Sequence, residues 1–198
     1  MTGKWRRWPF AAVFITAALL LIEALWIPVK AEMAQALMER AWSRVMRGES
    51  EARPWPWADT APAGILELPE RGIRQIILEG ASGRNLAFGP AALNDVHQSD
   101  LVLSGHRDTH FRFLDELQPG ERIRIQTTQS LREFAVTQFD IVDSRNRELV
   151  LDPSADRLTL VTCYPLDAAA AGGPMRLVVT ALPLAAPDSD SRIARHYP

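Results

Sequence analysis

Arg157-Leu158-Thr159-Leu160-Val161-Thr162-Cys163 is the stretch on which the reading of this chain turns. Its mix of leucine, valine and threonine fits a short, mostly buried strand. It ends on the only cysteine among 198 residues. A free thiol where a strand stops is either a small buried hydrophobe or a nucleophile. One cysteine excludes an intramolecular disulfide and any structural zinc site built from several thiolates.

Working outward, similar runs fill the chain from residue 64 onward. GILELP, GIRQIILEG, DLVLSG, ERIRIQTT, LREFAVTQFDIVD, RLTLVTC and MRLVVTALPL are all rich in Ile, Val, Leu, Thr or Phe. Turn signals at Gly83, Gly89-Pro90, Pro119-Gly120, Asp152-Pro153 and Gly172-Gly173-Pro174 separate them. Only Ala91–Leu93 and Phe111–Leu117 read as helical. Many short strands with few helices predict a mainly β domain, a barrel or a sandwich. Its start is set by residues 53–62, RPWPWADTAP, where three prolines bar a helix and two tryptophans suggest an ordered lead-in. The tail from 185 to 198, rich in Asp, Ser and Arg, reads as disordered.

The N-terminal side divides in two. Residues 10–28 are almost wholly apolar with Glu23 as the one charge, and Lys4, Arg6 and Arg7 precede them. A run of this length predicts a transmembrane anchor, residues 1–9 staying cytoplasmic and the remainder facing outward. A cleaved signal peptide ending near Val29-Lys30-Ala31 is the rival reading. Both export the rest of the chain, to the periplasmic or extracytoplasmic side of the inner membrane. Residues 29–52 then carry Met33, Leu37, Met38, Ala41, Trp42, Val45 and Met46 at helical spacing, an amphipathic stalk ended by Gly48. With 22 basic against 24 acidic residues and no basic stripe, nucleic acid is not an expected partner.

Three polar groups fall at predicted strand ends. His106, in Ser104-Gly105-His106-Arg107-Asp108, follows one strand; Cys163 closes another; Arg176 opens the last. A neighbouring cation favours the thiolate, a histidine can protonate a leaving amine, and a permanently charged arginine can hold an oxyanion. The three together suffice for acyl transfer through a thioester. On chemistry alone the cysteine remains either structural or catalytic.

The Thr159–Cys163 sequence TLVTC resembles the Thr-Leu-x-Thr-Cys signature of the sortases, membrane-anchored cysteine transpeptidases. Gly105-His106-Arg107-Asp108 resembles the family's histidine segment, and Arg176 sits where its arginine does. The resemblance runs from about Trp55 to Leu184, and the lead-in and the GHRDTHFRFLDELQPG segment look most like the proteobacterial branch. It implies a closed eight-stranded β-barrel over residues 53–184. It also implies a Leu-Pro-x-Thr-Gly-like C-terminal sorting signal as protein substrate, an amine as acceptor, and no cofactor. The roles it implies are Cys163 as thiolate nucleophile, His106 as acid and then base, and Arg176 as oxyanion and peptide support. Thr162 is either a support for substrate or arginine or a plain strand residue, and Arg107 and Asp108 either support the histidine or form a surface pair. The short segment between Gly89-Pro90 and His106 departs from the family and implies a trimmed groove floor.

No metal is expected, because Asp140, Asp143 and Glu148 lack ligand spacing and read as solvated loop charges. His110, four residues beyond His106, is the rival histidine, and His97 reads as a surface loop residue. A cysteine protease-like hydrolase using water as acceptor, and a non-catalytic tethered barrel, are the competing functional classes.

Overall fold

The computed structural model describes residue 14 and residues 32–49, 52–168 and 172–184. The expected anchor over residues 10–28, Phe14 apart, and the expected disordered tail lie outside the described residues. Among the described residues, no helix is long and apolar enough to cross a membrane.

Eight strands form the domain: β1 (Pro62–Leu68), β2 (Ile73–Glu79), β3 (Ala91–Ala92), β4 (Asp100–Ser104), β5 (Arg122–Gln126), β6 (Leu131–Asp143), β7 (Arg157–Cys163) and β8 (Met175–Pro183). They close into a barrel in the order β1-β2-β3-β4-β7-β8-β6-β5, with β5 pairing back on β1. Closure leaves no open sheet edge around the circuit, a general solution for a small all-β domain. Only β2–β3 and β4–β7 are parallel.

Ala91 was expected in a helical stretch; it lies in β3, paired with Leu78 and Ser104. Two alanines carry no periodicity, and their conformation is set by the strands on either side. Around Phe111–Leu117 the helix is a single 3-10 turn, Arg112–Asp115.

Strand alternation divides inside from outside. Leu101, Leu103, Leu158, Leu160, Leu177 and Val179 point inward and are buried in the main core. The 13-residue β6 serves two neighbours. A bulge between Val136 and Gln138 lets it pair with β5 in its first half and with β8 along its length.

A helix, α1, covers residues 32–45 and ends at Gly48, whose φ of +96° suits glycine. Met38, Ala41 and Trp42 are buried on one of its faces. Met38 and Trp42 pack over Ile65, Ile76 and Leu78, which point outward from β1 and β2, in a second cluster separate from the barrel interior. Trp55 of the lead-in joins it, its ring edge-on to Phe88 at 4.9 Å. Trp57 does not dock; it is 80% exposed. An Arg74 bridge links Glu67 of β1 to Glu39 of α1.

Candidate active site

The register of β4 against β7 builds the site. Asp100 pairs with Arg157, and a constant offset carries the ladder to Ser104 beside Val161. Asp100 fixes that register from the far end. Arg157 donates to its carboxylate through Nε and Nη2, both at 2.8 Å, and the Asp152 backbone N–H adds a third bond at 2.8 Å. Burial alone would raise the Asp100 pKa, but these hydrogen bonds and the Arg157 charge outweigh it and hold the carboxyl below its ordinary value.

The pairing runs on past the strand ends. Gly105 N–H donates to the Val161 carbonyl at 3.2 Å, and the buried Thr162 hydroxyl donates to the Gly105 carbonyl at 2.7 Å. His106 follows Gly105 directly, two residues past the end of β4. On the other flank, Cys163 pairs directly with Arg176 of β8. Since Leu158 and Leu160 point inward, Cys163 faces outward, and Arg176 opposite it shares that face. Neighbouring strands lie about 4.8 Å apart, which sets the backbone separation of Cys163 and Arg176. His106 is exposed, while Cys163 and Arg176 are half-buried.

Local packing explains why a glycine precedes His106. A Cβ on Gly105 would meet the Phe111 ring at 2.7 Å. Phe111 is fully buried, and its N–H donates to the His106 carbonyl at 2.9 Å, closing the turn after the histidine. Nothing in strand patterning reveals this contact, although a glycine between a strand and a polar turn is its one visible trace.

The supporting residues differ in kind. Arg107 is 5% exposed, and its guanidinium donates to the carbonyls of Pro165 and Ala168, each at 2.7 Å. Asp108 pairs with Arg107 Nε at 3.2 Å but is itself exposed. Arg176 Nη1 donates to the carbonyls of Gly173 at 2.7 Å and Met175 at 2.8 Å. The segment joining Cys163 to Arg176 is therefore tied down by an arginine at both ends. Tyr164 N–H, donating to Met175 carbonyl at 3.0 Å, draws those ends together.

His110 is turned elsewhere. Its Nε2 lies 3.5 Å from the Ala87 carbonyl, and its own carbonyl accepts from Gln75 Nε2 at 2.9 Å. Burial pulls its pKa down; the Ala87 carbonyl opposes this and the charge of nearby His106 adds to it. Gln75 gave no sign of this role in the sequence, being one polar residue in an apolar strand. His97 lies exposed beyond the opposite end of β4, about 13 Å of strand away from Ser104, and lines a separate surface cavity of about 670 Å³. Among the described residues, no group of three or more His, Cys, Asp or Glu is gathered as metal ligands would be.

The chain is similar to known proteins in sequence and fold. A family model described as the sortase domain covers residues 66–184. Sortase D of Bacillus subtilis (strain 168) is 33% identical over 108 residues, covering 52% of this chain and 54% of the relative. The chain spans about half the length of the curated relatives it matches. Among solved structures, the pilus-related sortase C of Group B Streptococcus superposes with a TM-score of 0.54 at 25% identity, covering 62% of this chain and 67% of that one. Sortase A from Corynebacterium diphtheriae shares the fold with a TM-score of 0.57 at 19% identity, covering 80% and 87%.

Proposed function

The chain belongs to the sortase family, and from that premise we propose that it is a cysteine transpeptidase acting on a C-terminal sorting signal of the Leu-Pro-x-Thr-Gly kind. The observation that supports this reading is the direct pairing of Cys163 with Arg176 across β7 and β8, with His106 just past the end of β4, the other neighbour of β7.

The chemistry uses these three residues. Cys163, as thiolate, attacks the carbonyl carbon of a Thr–Gly-type peptide bond, and the carbonyl oxygen takes the charge. Arg176, already oriented by the carbonyls of Gly173 and Met175, supplies a fixed positive charge beside that oxygen. Collapse of the tetrahedral intermediate expels the amine, which His106 protonates, and leaves a thioester on Cys163. An incoming amine, deprotonated by His106, then attacks the thioester. The new amide forms and the thiolate returns. Thr162 and Asp100 hold β4 and its exit against β7.

The apolar run at residues 10–28 behind Lys4, Arg6 and Arg7 supports a single-pass anchor in the cytoplasmic membrane, with the barrel on the periplasmic or extracytoplasmic side. Its lipid contact and the client protein and amine acceptor are the partners this reading requires.

Replacing Cys163 with Ala is expected to abolish transfer of a labelled sorting peptide to an amine. Unchanged transfer would overturn the assignment. Product partition at saturating amine separates transfer from hydrolysis: only hydrolysed product would make the chain a hydrolase.

A further inference from the structure

The proposed chemistry uses His106, Cys163 and Arg176, yet the most deeply buried charged side chain beside them belongs to a fourth residue. Arg107 follows His106 directly and is 5% exposed. Burying a guanidinium is costly unless its donors are satisfied. Here Nη1 meets the Pro165 carbonyl and Nη2 the Ala168 carbonyl, both at 2.7 Å, and Nε meets Asp108 Oδ1 at 3.2 Å. The two carbonyls lie two and five residues beyond Cys163. One planar fork thus joins the turn that carries the histidine to the segment that leaves the cysteine, across 58 residues of chain to Pro165.

This fork is the reverse of a second link. The Thr162 hydroxyl, one residue before the cysteine, bonds the Gly105 carbonyl, one residue before the histidine. The residue after the histidine bonds the segment after the cysteine. Tyr164 and Leu166 also pack against the barrel core, so that segment is held by apolar contact on one side and by Arg107 on the other. Its far end is held by Arg176 through Gly173 and Met175.

We propose that Arg107 is a positioning residue for the transfer reaction: its fork fixes the start of the β7–β8 segment and so aligns the peptide-binding wall and Arg176 with Cys163. The proposal rests on the transpeptidase reading. A lysine would keep the charge but has one nitrogen and no fork, so it cannot hold two diverging carbonyls in the same geometry.

The test compares wild type with Arg107→Lys and Arg107→Gln in the full chain. Three quantities are read: transfer of a labelled sorting peptide to an amine, alkylation of Cys163 by iodoacetamide, and backbone hydrogen exchange. Arg107→Lys is expected to lower kcat/KM for transfer about tenfold or more, with Arg107→Gln lower still. Exchange within Tyr164–Ala168 should rise. Exchange within Ile76–Leu78 and the alkylation rate, which need only an accessible thiol, should stay within about twofold. Unchanged exchange at Tyr164–Ala168 would overturn the proposal. So would a parallel rise at Ile76–Leu78, or an alkylation rate falling in step with transfer, since each would make Arg107 a general fold residue or a direct aid to the thiol. Should neither variant fold, wild type alone decides. Amides at Tyr164–Ala168 exchanging as fast as those of the exposed Arg147–Val150 loop would contradict a pinned segment. If wild type transfers no sorting peptide, the transpeptidase reading fails by itself, while exchange and alkylation still report whether Arg107 fastens the segment.

Discussion

The β1–β2–β3 wall and the β4–β7–β8 wall are built by the same alternation, yet their outer faces are opposites. On the first, Ile65, Ile76 and Leu78 point outward and are sealed beneath Met38 and Trp42 of α1. On the second, the outward positions near the strand ends are Ser104, Val161, Cys163 and Arg176, and none is fully buried. Apolar side chains on both faces make the first wall a scaffold, each large one contributing roughly 1.5–3 kcal/mol by burial. The second wall buries one face for stability and leaves the other free to present chemistry. A single fold can therefore separate what holds it up from what it does, strand by strand.

That separation makes predictions of decreasing size. On the open wall, His106→Ala should cut transfer on the order of a thousandfold while shifting the thermal midpoint by no more than a few degrees, as paired activity and calorimetry would show. On the covered wall, Trp42→Ala should do the reverse. Denaturant titration should record a loss of about 3–5 kcal/mol, with activity per folded molecule retained below the transition. A Trp42 variant that folds normally but transfers poorly would break the division. Gly105→Ala tests the seam between walls. The added methyl meets Phe111, so a loss of about 1–3 kcal/mol should accompany reduced transfer, because the His106 turn must move with it.

The smallest effect is one of pH. Asp100 has a folded-state pKa below its ordinary value, so the unfolded chain binds this proton more readily. Its contribution is complete above about pH 4, the ordinary carboxylate value, and is lost as pH falls through the lower folded value. Unfolding free energies measured from pH 5 to 2 should fall more steeply in wild type than in Asp100→Asn. Equal slopes would mean that the Arg157 clamp does not set the β4–β7 register as described.

Much of this was legible in the sequence because the strands are rich in branched residues and bounded by glycine and proline. The runs ending at Ser104 and Cys163 and opening at Arg176 could be read directly, and their polar ends supplied the candidate site residues. Closure was legible only through the family resemblance, because strand content alone left a barrel or a sandwich open. It depends on the two-residue β3, too short for any period, and on a parallel β4–β7 pairing whose strands begin 57 residues apart. Arg107 was legible as a candidate support for His106, but its burial was not. An arginine in a polar turn normally faces water, and its burial depends on where the Pro165 and Ala168 carbonyls arrive once the chain has folded. Trp57 shows the opposite limit: its large apolar ring suggested docking, but Trp55 alone reaches Phe88.

The most direct measurement of the central claim is mass spectrometry of the protein mixed with a sorting-signal peptide in the absence of amine. Cys163 should carry the acyl fragment as a thioester, discharged by added amine or hydroxylamine and absent in Cys163→Ala. An adduct on any other residue, or turnover of the peptide by Cys163→Ala, would contradict the account.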